Sequence, residues 1–297
     1  MPPTTPDHPD PDRDREDELP RMTLGEHLDE LRRRTFRSAA AIVLGMVVAL
    51  VFHRTVFDLA VEPYRQAIRD LGGTGALQAL SPLDTFVQVM KLSFLVGLVV
   101  TAPYVLWQMW GFVAAGLYPE ERRAVRTFFP ISVVLFVLGC VTAFLMILPV
   151  GLRFLVAFGR SLDVSNNFAV GPYLSLCLSL LFGMGLAFEM PLVMLFLQAT
   201  GIVERETFRR GWRLAVLTAF VLAMVLTPDP TPISQCLMAA PLVGLYFLGV
   251  WAGRFVGEDK ETFTVWKAWP LAVAAGALFA LFFFRRDLVG LASRLFS

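Results

Sequence analysis

"TFFPISVVLFVLGCVTAFLMILPVGL", Thr127 to Leu152, runs without a single charged side chain. About 20 apolar residues, rising 1.5 Å each along a helix, cross a hydrocarbon core of about 30 Å. This stretch exceeds that length, and it has relatives on both sides. After Lys91 the next charge upstream of it is Glu120, and downstream Pro230 to Gly253 is again uncharged. The chain of 297 residues is 56% hydrophobic and only 17% charged, with a mean hydropathy of +0.62. Soluble domains carry about 25% charged residues. The segregation of charge into short intervals therefore predicts an all-α polytopic membrane protein, one helical bundle holding most of the chain.

Spans are predicted at 36–53, 90–112, 127–150, 172–200, 213–227 and 232–252. The fifth is short for a bilayer and must thin it or lean on neighbours. A further apolar stretch, 268–284, is the candidate for a seventh span. Arginines set the orientation. Arg32, Arg33, Arg34 and Arg37 precede the first span; Arg122, Arg123 and Arg126 follow the second; Arg205, Arg209, Arg210 and Arg213 follow the fourth. The opposite loops spread Arg54, Arg65, Arg69, Arg153 and Arg160 over longer stretches. The N-terminus and the loops 113–126 and 201–212 are predicted cytoplasmic, and the loops 54–89 and 151–171 outward.

Residues 1–21 are rich in Pro and Asp and lack an apolar run, which predicts a disordered cytoplasmic tail and not a cleavable signal peptide. The bundle is expected over 22–255 and a C-terminal extension over 256–297. Cys140, Cys177 and Cys236 all fall in apolar segments and read as small core residues. His8, His27 and His53 are scattered, so no metal cluster is visible. A net charge of +1 gives no reason to expect a nucleic-acid partner. No nucleophile–base pair or phosphate loop is present, and neither catalysis nor a cofactor is expected.

"MTLGEHLDELRRR" opens the first span. Thr23 and Glu26 stand three apart, a capping-box spacing, and Leu24, Leu28 and Leu31 share one helix face. An amphipathic cytoplasmic helix running into the first span is predicted. Glu30 and Arg34 stand at i,i+4, a pair worth about 0.2–0.5 kcal/mol on a helix surface.

Five segments in order, "HLDELRRR", "SPLDTFVQVMKLSF", "APYVLWQMWGFVAAGLYPEERR", "FGMGLAFEMP" and "LTPDPTPISQCLMAAPL", resemble the TatC family, the multispanning subunit of the twin-arginine protein translocase. The resemblance covers about 22–255. The family's outward turn reads Thr-Pro-Pro-Asp; here Asp229 stands one place early and the turn is one residue longer. The family has six spans, so 268–284 is extra. The resemblance implies a receptor in the inner membrane that reads two adjacent arginines in the signal peptide of folded cargo. It also implies TatA- and TatB-type single-span partners and more than one copy of the chain in the receptor complex.

The chemistry fits that expectation. A guanidinium is a planar fork that a carboxylate accepts bidentately, and lysine cannot reproduce that geometry. Two arginines call for two carboxylates. By resemblance these are Glu30 and Glu121, with Phe112 on the same surface and Arg32 and Arg122 orienting the acids. Alone, Glu121 also reads as an acid at a helix N-terminus.

Glu189 lies deep in the fourth span, where a charge costs about 2.5–3.5 kcal/mol on insertion scales. Pro191 predicts a kink beside it, and Gly183 and Gly185 permit close approach. Two readings follow: a contact for partner helices in a cavity, which the resemblance favours, or a buried acid bonded to a neighbouring helix. Gln108 and Gln198 read as interhelical hydrogen bonds. Pro63, Pro82 and Phe86 are expected to shape an outward cap. The competing function is a proton-coupled solute transporter using Glu189; the lone intramembrane carboxylate and the absence of an internal repeat argue against it.

Overall fold

The computed structural model describes residues 24–70, 77–79, 81–117, 122–161, 169–226 and 232–255. The predicted tail, Glu121, Asp229 and the stretch 268–284 lie outside them. Helices α1 (Leu24–Val51), α2 (His53–Asp70), α3 (Pro82–Ala115) and α4 (Arg122–Thr142) come first. A π-helical turn, Ala143–Ile147, joins α4 to α5 (Leu148–Ser161). Then follow α6 (Val170–Ala199), α7 (Arg205–Arg210), α8 (Trp212–Leu226) and α9 (Pro232–Ala252), closed by a 3₁₀ turn, Gly253–Phe255. Among the described residues the β-structure is one isolated bridge, Gln78 with Ala169.

Four stretches are long and apolar enough to cross a membrane: Gly25–Val51, Leu83–Ala115, Phe128–Gly159 and Val170–Ala199. Trp212–Val225 and Met238–Ala252 are shorter apolar helices. The predicted cytoplasmic helix and the first span are one unbroken rod of 28 residues, about 42 Å long. The helix α3 starts eight positions earlier than the predicted span, because Ser81 caps it: its hydroxyl accepts from the Leu83 N–H at 3.3 Å, and Pro82 sits at the first helical position.

Two predicted loops contain helices. In the loop 54–89, α2 carries Ala60, Val61, Tyr64, Ala67 and Ile68 on one buried face. Its outer face is tied by Arg65–Asp58 at 3.1 Å and Arg69–Glu62 at 2.6 Å. In the loop 151–171, α5 continues the third span to Ser161.

Glycines set the tightest crossings. The helix α1 packs along α3 at Gly45 and Gly97, where a Cβ on Gly45 would lie 2.8 Å from the Gly97 carbonyl oxygen. The helix α6 is central and packs against α4, α9 and α3. It meets α4 at Gly139 and Gly185; a Cβ on Gly139 would stand 2.5 Å from the Met184 carbonyl oxygen. With lipid as apolar as any side chain, such close packing, and not water exclusion, holds the helices together. Trp110 of α3, Phe128 of α4 and Phe196 of α6 form an aromatic cluster with ring centroids 5.3–5.7 Å apart. Each such pair contributes about 0.5–1.5 kcal/mol.

At the other end of α6, Val170 N–H donates to the Gln78 carbonyl at 2.9 Å, and Tyr173 Oη donates to the Ala60 carbonyl at 2.5 Å. The Tyr173 bond clamps α2 onto the bundle, and the Val170 bond ties the Gln78 segment to the start of α6. Pro63 is buried within α2, whereas Phe86 stands exposed on the first turns of α3. Cys140 and Cys177 are buried as expected; Cys236 is exposed, on a face of α9 that no neighbouring helix covers among the described residues.

Candidate functional site

The N-terminal end of α1 and the C-terminal end of α3 lie side by side, because the two helices run antiparallel along each other. Helical spacing stacks His27, Glu30 and Arg34 on α1 against Gln108, Gly111 and Phe112 on α3. The His27 and Phe112 rings stack with centroids 4.5 Å apart and planes 27° apart. Arg34 Nη2 and Nε lie 2.6 and 2.7 Å from Glu30 Oε1. Arg33 Nη2 pairs with the other oxygen, Oε2. Arg34 Nη1 reaches across to Gln108 Oε1 at 3.4 Å. Gly111 makes room for this guanidinium: a Cβ there would collide with Arg34 Nη1.

The Glu30 side chain is only 11% exposed, inside this ring of donors. Burial raises its carboxyl, but the hydrogen bonds from Arg34 and Arg33, together with their charges, outweigh that and hold it below its ordinary value. The result is an anionic acceptor fixed in orientation at the polar end of a long apolar helix. Its guanidinium partners are Arg33 and Arg34, where the sequence reading named Arg32; Arg32 is exposed. Arg122 is exposed at the start of α4, immediately after Glu121.

A second polar point lies within the bundle. Glu189 is 7% exposed, and Ser132 Oγ of α4 donates to its Oε2 at 2.8 Å. Its Oε1 has no hydrogen-bond partner among the described residues. Glu189 is thus bonded to a neighbouring helix through one of its two carboxyl oxygens. The reason is the Gly139–Gly185 crossing, which brings α4 and α6 together. Gln108 makes the interhelical bond expected of it, to Arg34. Gln198 makes none among the described residues; its amide abuts Gly253.

Sequence reasoning missed Ser132, His27 and Gly111. Ser132 had no signal of its own, being one hydroxyl in an apolar span. The other two had one: His27 lies three residues before Glu30, and Gly111 three after Gln108, so each falls on its partner's helix face.

Long apolar helices around a central one, with the ionic groups of the site gathered near the N-terminal end of α1, define a multi-pass, all-helical membrane protein. Sequence and fold agree on which kind. The family profile described as Sec-independent protein translocase protein (TatC) matches residues 26–241. The chain is 35% identical over 240 residues to the Sec-independent protein translocase protein TatC of Carboxydothermus hydrogenoformans, covering 81% of this chain and 96% of that one. It is 36% identical over 245 residues to the TatC of Synechocystis sp., covering 82% and 93%. It superposes on a crystal structure described as the twin-arginine translocase receptor TatC with a TM-score of 0.70 at 33% identity, covering 78% of this chain and 99% of that one. The chain belongs to the TatC family and is a translocase receptor subunit, not an enzyme. The solute-transporter alternative falls with that membership.

Proposed function

We propose that this chain binds the signal peptide of folded cargo at its cytoplasmic face, Glu30 accepting one guanidinium of an adjacent arginine pair and Glu121 the other. The observation that carries this reading is the Glu30 carboxylate, its side chain mostly buried and already in a guanidinium-binding geometry beside Phe112. Gln108 lies behind it, bonded to Arg34, and Arg122, next to Glu121 in the sequence, opens α4. In this reading the N-terminus lies in the cytoplasm and six spans cross the inner membrane, the last two short. The stretch 268–284 forms a seventh span outside the recognition surface. TatA- and TatB-type single-span subunits pack on the exposed apolar faces of the bundle, with Glu189 as the polar point they approach, and several copies of the chain share the receptor complex.

The test is binding of a synthetic signal peptide with two adjacent arginines to purified full-length chain in lipid nanodiscs. Charged hydrogen-bond pairs contribute about 1.5–3 kcal/mol, so Glu30→Gln or Glu121→Gln should weaken binding by roughly 10–150-fold each. Unchanged affinity in both variants refutes the reading.

A further inference from the structure

Glu30 is already occupied by the kind of ligand it is proposed to read. Two consecutive arginines of its own helix, Arg33 and Arg34, each take one of its oxygens. The two are held differently. Arg34 is 22% exposed, touches Oε1 through two nitrogens, reaches Gln108 and fills the space left by Gly111. Arg33 is 60% exposed and touches only Oε2. One arginine is built into the wall; the other rests on the open side.

We infer that Arg33 is an internal competitor: it covers Oε2 in the resting receptor and is displaced when an arginine of the signal peptide takes that oxygen, while Arg34 stays and orients the carboxylate. This rests on the proposed role of Glu30. The exchange conserves charge and geometry at the carboxylate, since one guanidinium leaves as another arrives. It keeps a mostly buried anion paired at every stage, where an unpaired one would be costly. An incoming lysine offers a point charge in place of the planar fork that it must dislodge. Exposed ion pairs are weak, so the competition is modest by construction: occupancy by Arg33 lowers peptide affinity by about two- to fivefold.

The experiment measures the affinity of a fluorescent synthetic peptide, two adjacent arginines ahead of an apolar run of about 15 residues, for full-length chain in nanodiscs. Wild type is compared with Arg33→Gln, Glu30→Gln, the double variant, and Arg37→Gln, which removes a nearby exposed arginine one turn further along α1. Arg33→Gln should tighten binding about two- to fivefold. Arg37→Gln should not, and the gain should vanish in the Glu30→Gln background. If Glu30→Gln leaves affinity unchanged, the proposed role of Glu30 fails and the competitor with it. If Glu30→Gln weakens binding while Arg33→Gln is neutral or weakening, the competitor alone is overturned. Equal gains from Arg33→Gln and Arg37→Gln, or a gain that survives loss of Glu30, overturn it too, because the effect is then general charge repulsion.

Discussion

Replacing Gly97 by Ala adds one carbon at the crossing of α1 and α3. That carbon would run into the α1 backbone at the Gly45–Met46 peptide: the Met46 nitrogen, the Gly45 carbonyl carbon at 2.7 Å and the Met46 Cα at 2.8 Å. Ordinary contact for a Cβ begins at 3.4 Å, and the Met46 nitrogen is the nearest atom, so the helices must part by about 1 Å. No flexible side chain is there to yield. Overpacking of this kind costs about 1–3 kcal/mol. The helix α1 depends heavily on this seam, since α3 is its main neighbour. A shift of α1 carries Arg34 with it, and the Arg34–Gln108 bond at 3.4 Å is already at the edge of hydrogen-bonding range. Gly97→Ala should therefore lose stability in reversible detergent unfolding and also loosen the setting of Glu30, weakening binding of the two-arginine peptide. Gly97→Leu should do both more severely. A Gly97→Ala chain with unchanged unfolding midpoint and unchanged peptide affinity would refute the argument that this crossing positions the site.

Other perturbations probe other parts of the bundle. Ser132→Ala and Glu189→Leu, taken singly and together, should show a coupling of about 0.6–1.7 kcal/mol in the same unfolding assay; strict additivity would mean that the hydrogen bond contributes nothing. Gly201 has φ +70°, and a Cβ added there would meet nothing within 4 Å. Gly201→Ala should therefore cost about 1–2 kcal/mol in the unfolding assay through backbone conformation alone and leave peptide affinity unchanged. A Ser297→Cys chain, made in a Cys236→Ser background because Cys236 is exposed, should react with an impermeant thiol reagent in intact cells if 268–284 is a seventh span. Labelling only after the membrane is opened would rule that span out.

The apolar segments were legible because lipid imposes a length and forbids charge, and both are written directly in the sequence. What lies beyond the hydrocarbon was not. The charges of α2, spaced to pair at Asp58–Arg65 and Glu62–Arg69, depress its hydropathy, so it read as a loop. Its helical face, Ala60, Val61, Tyr64, Ala67 and Ile68, recurs at the expected period and was there to be found. At the site, the Glu30–Arg34 pair follows from spacing within one helix. The seat of Arg34 on Gly111 and Gln108 needs the α1–α3 register, which Gly45 and Gly97 fix through contacts between residues far apart in the chain.

The π-helical turn at Ala143–Ile147 has a bearing on how the third span can change its length. At about 100° per residue, Leu152 should point half a turn away from Ala143. Yet Ala143, Leu148, Leu152 and Val156 are all buried. The wide turn takes up one residue and so rotates the second half back by about 100°, toward the helices it must meet. The α4 half faces α6, and the α5 half faces α2. Deleting a residue from 143–147 would tighten the wide turn into ordinary α-helix and leave both halves aimed as they are. The same deletion anywhere else in the span would swing everything after it by about 100°. The turn is thus a reserve of one residue, the point at which this span can be shortened without re-aiming either end.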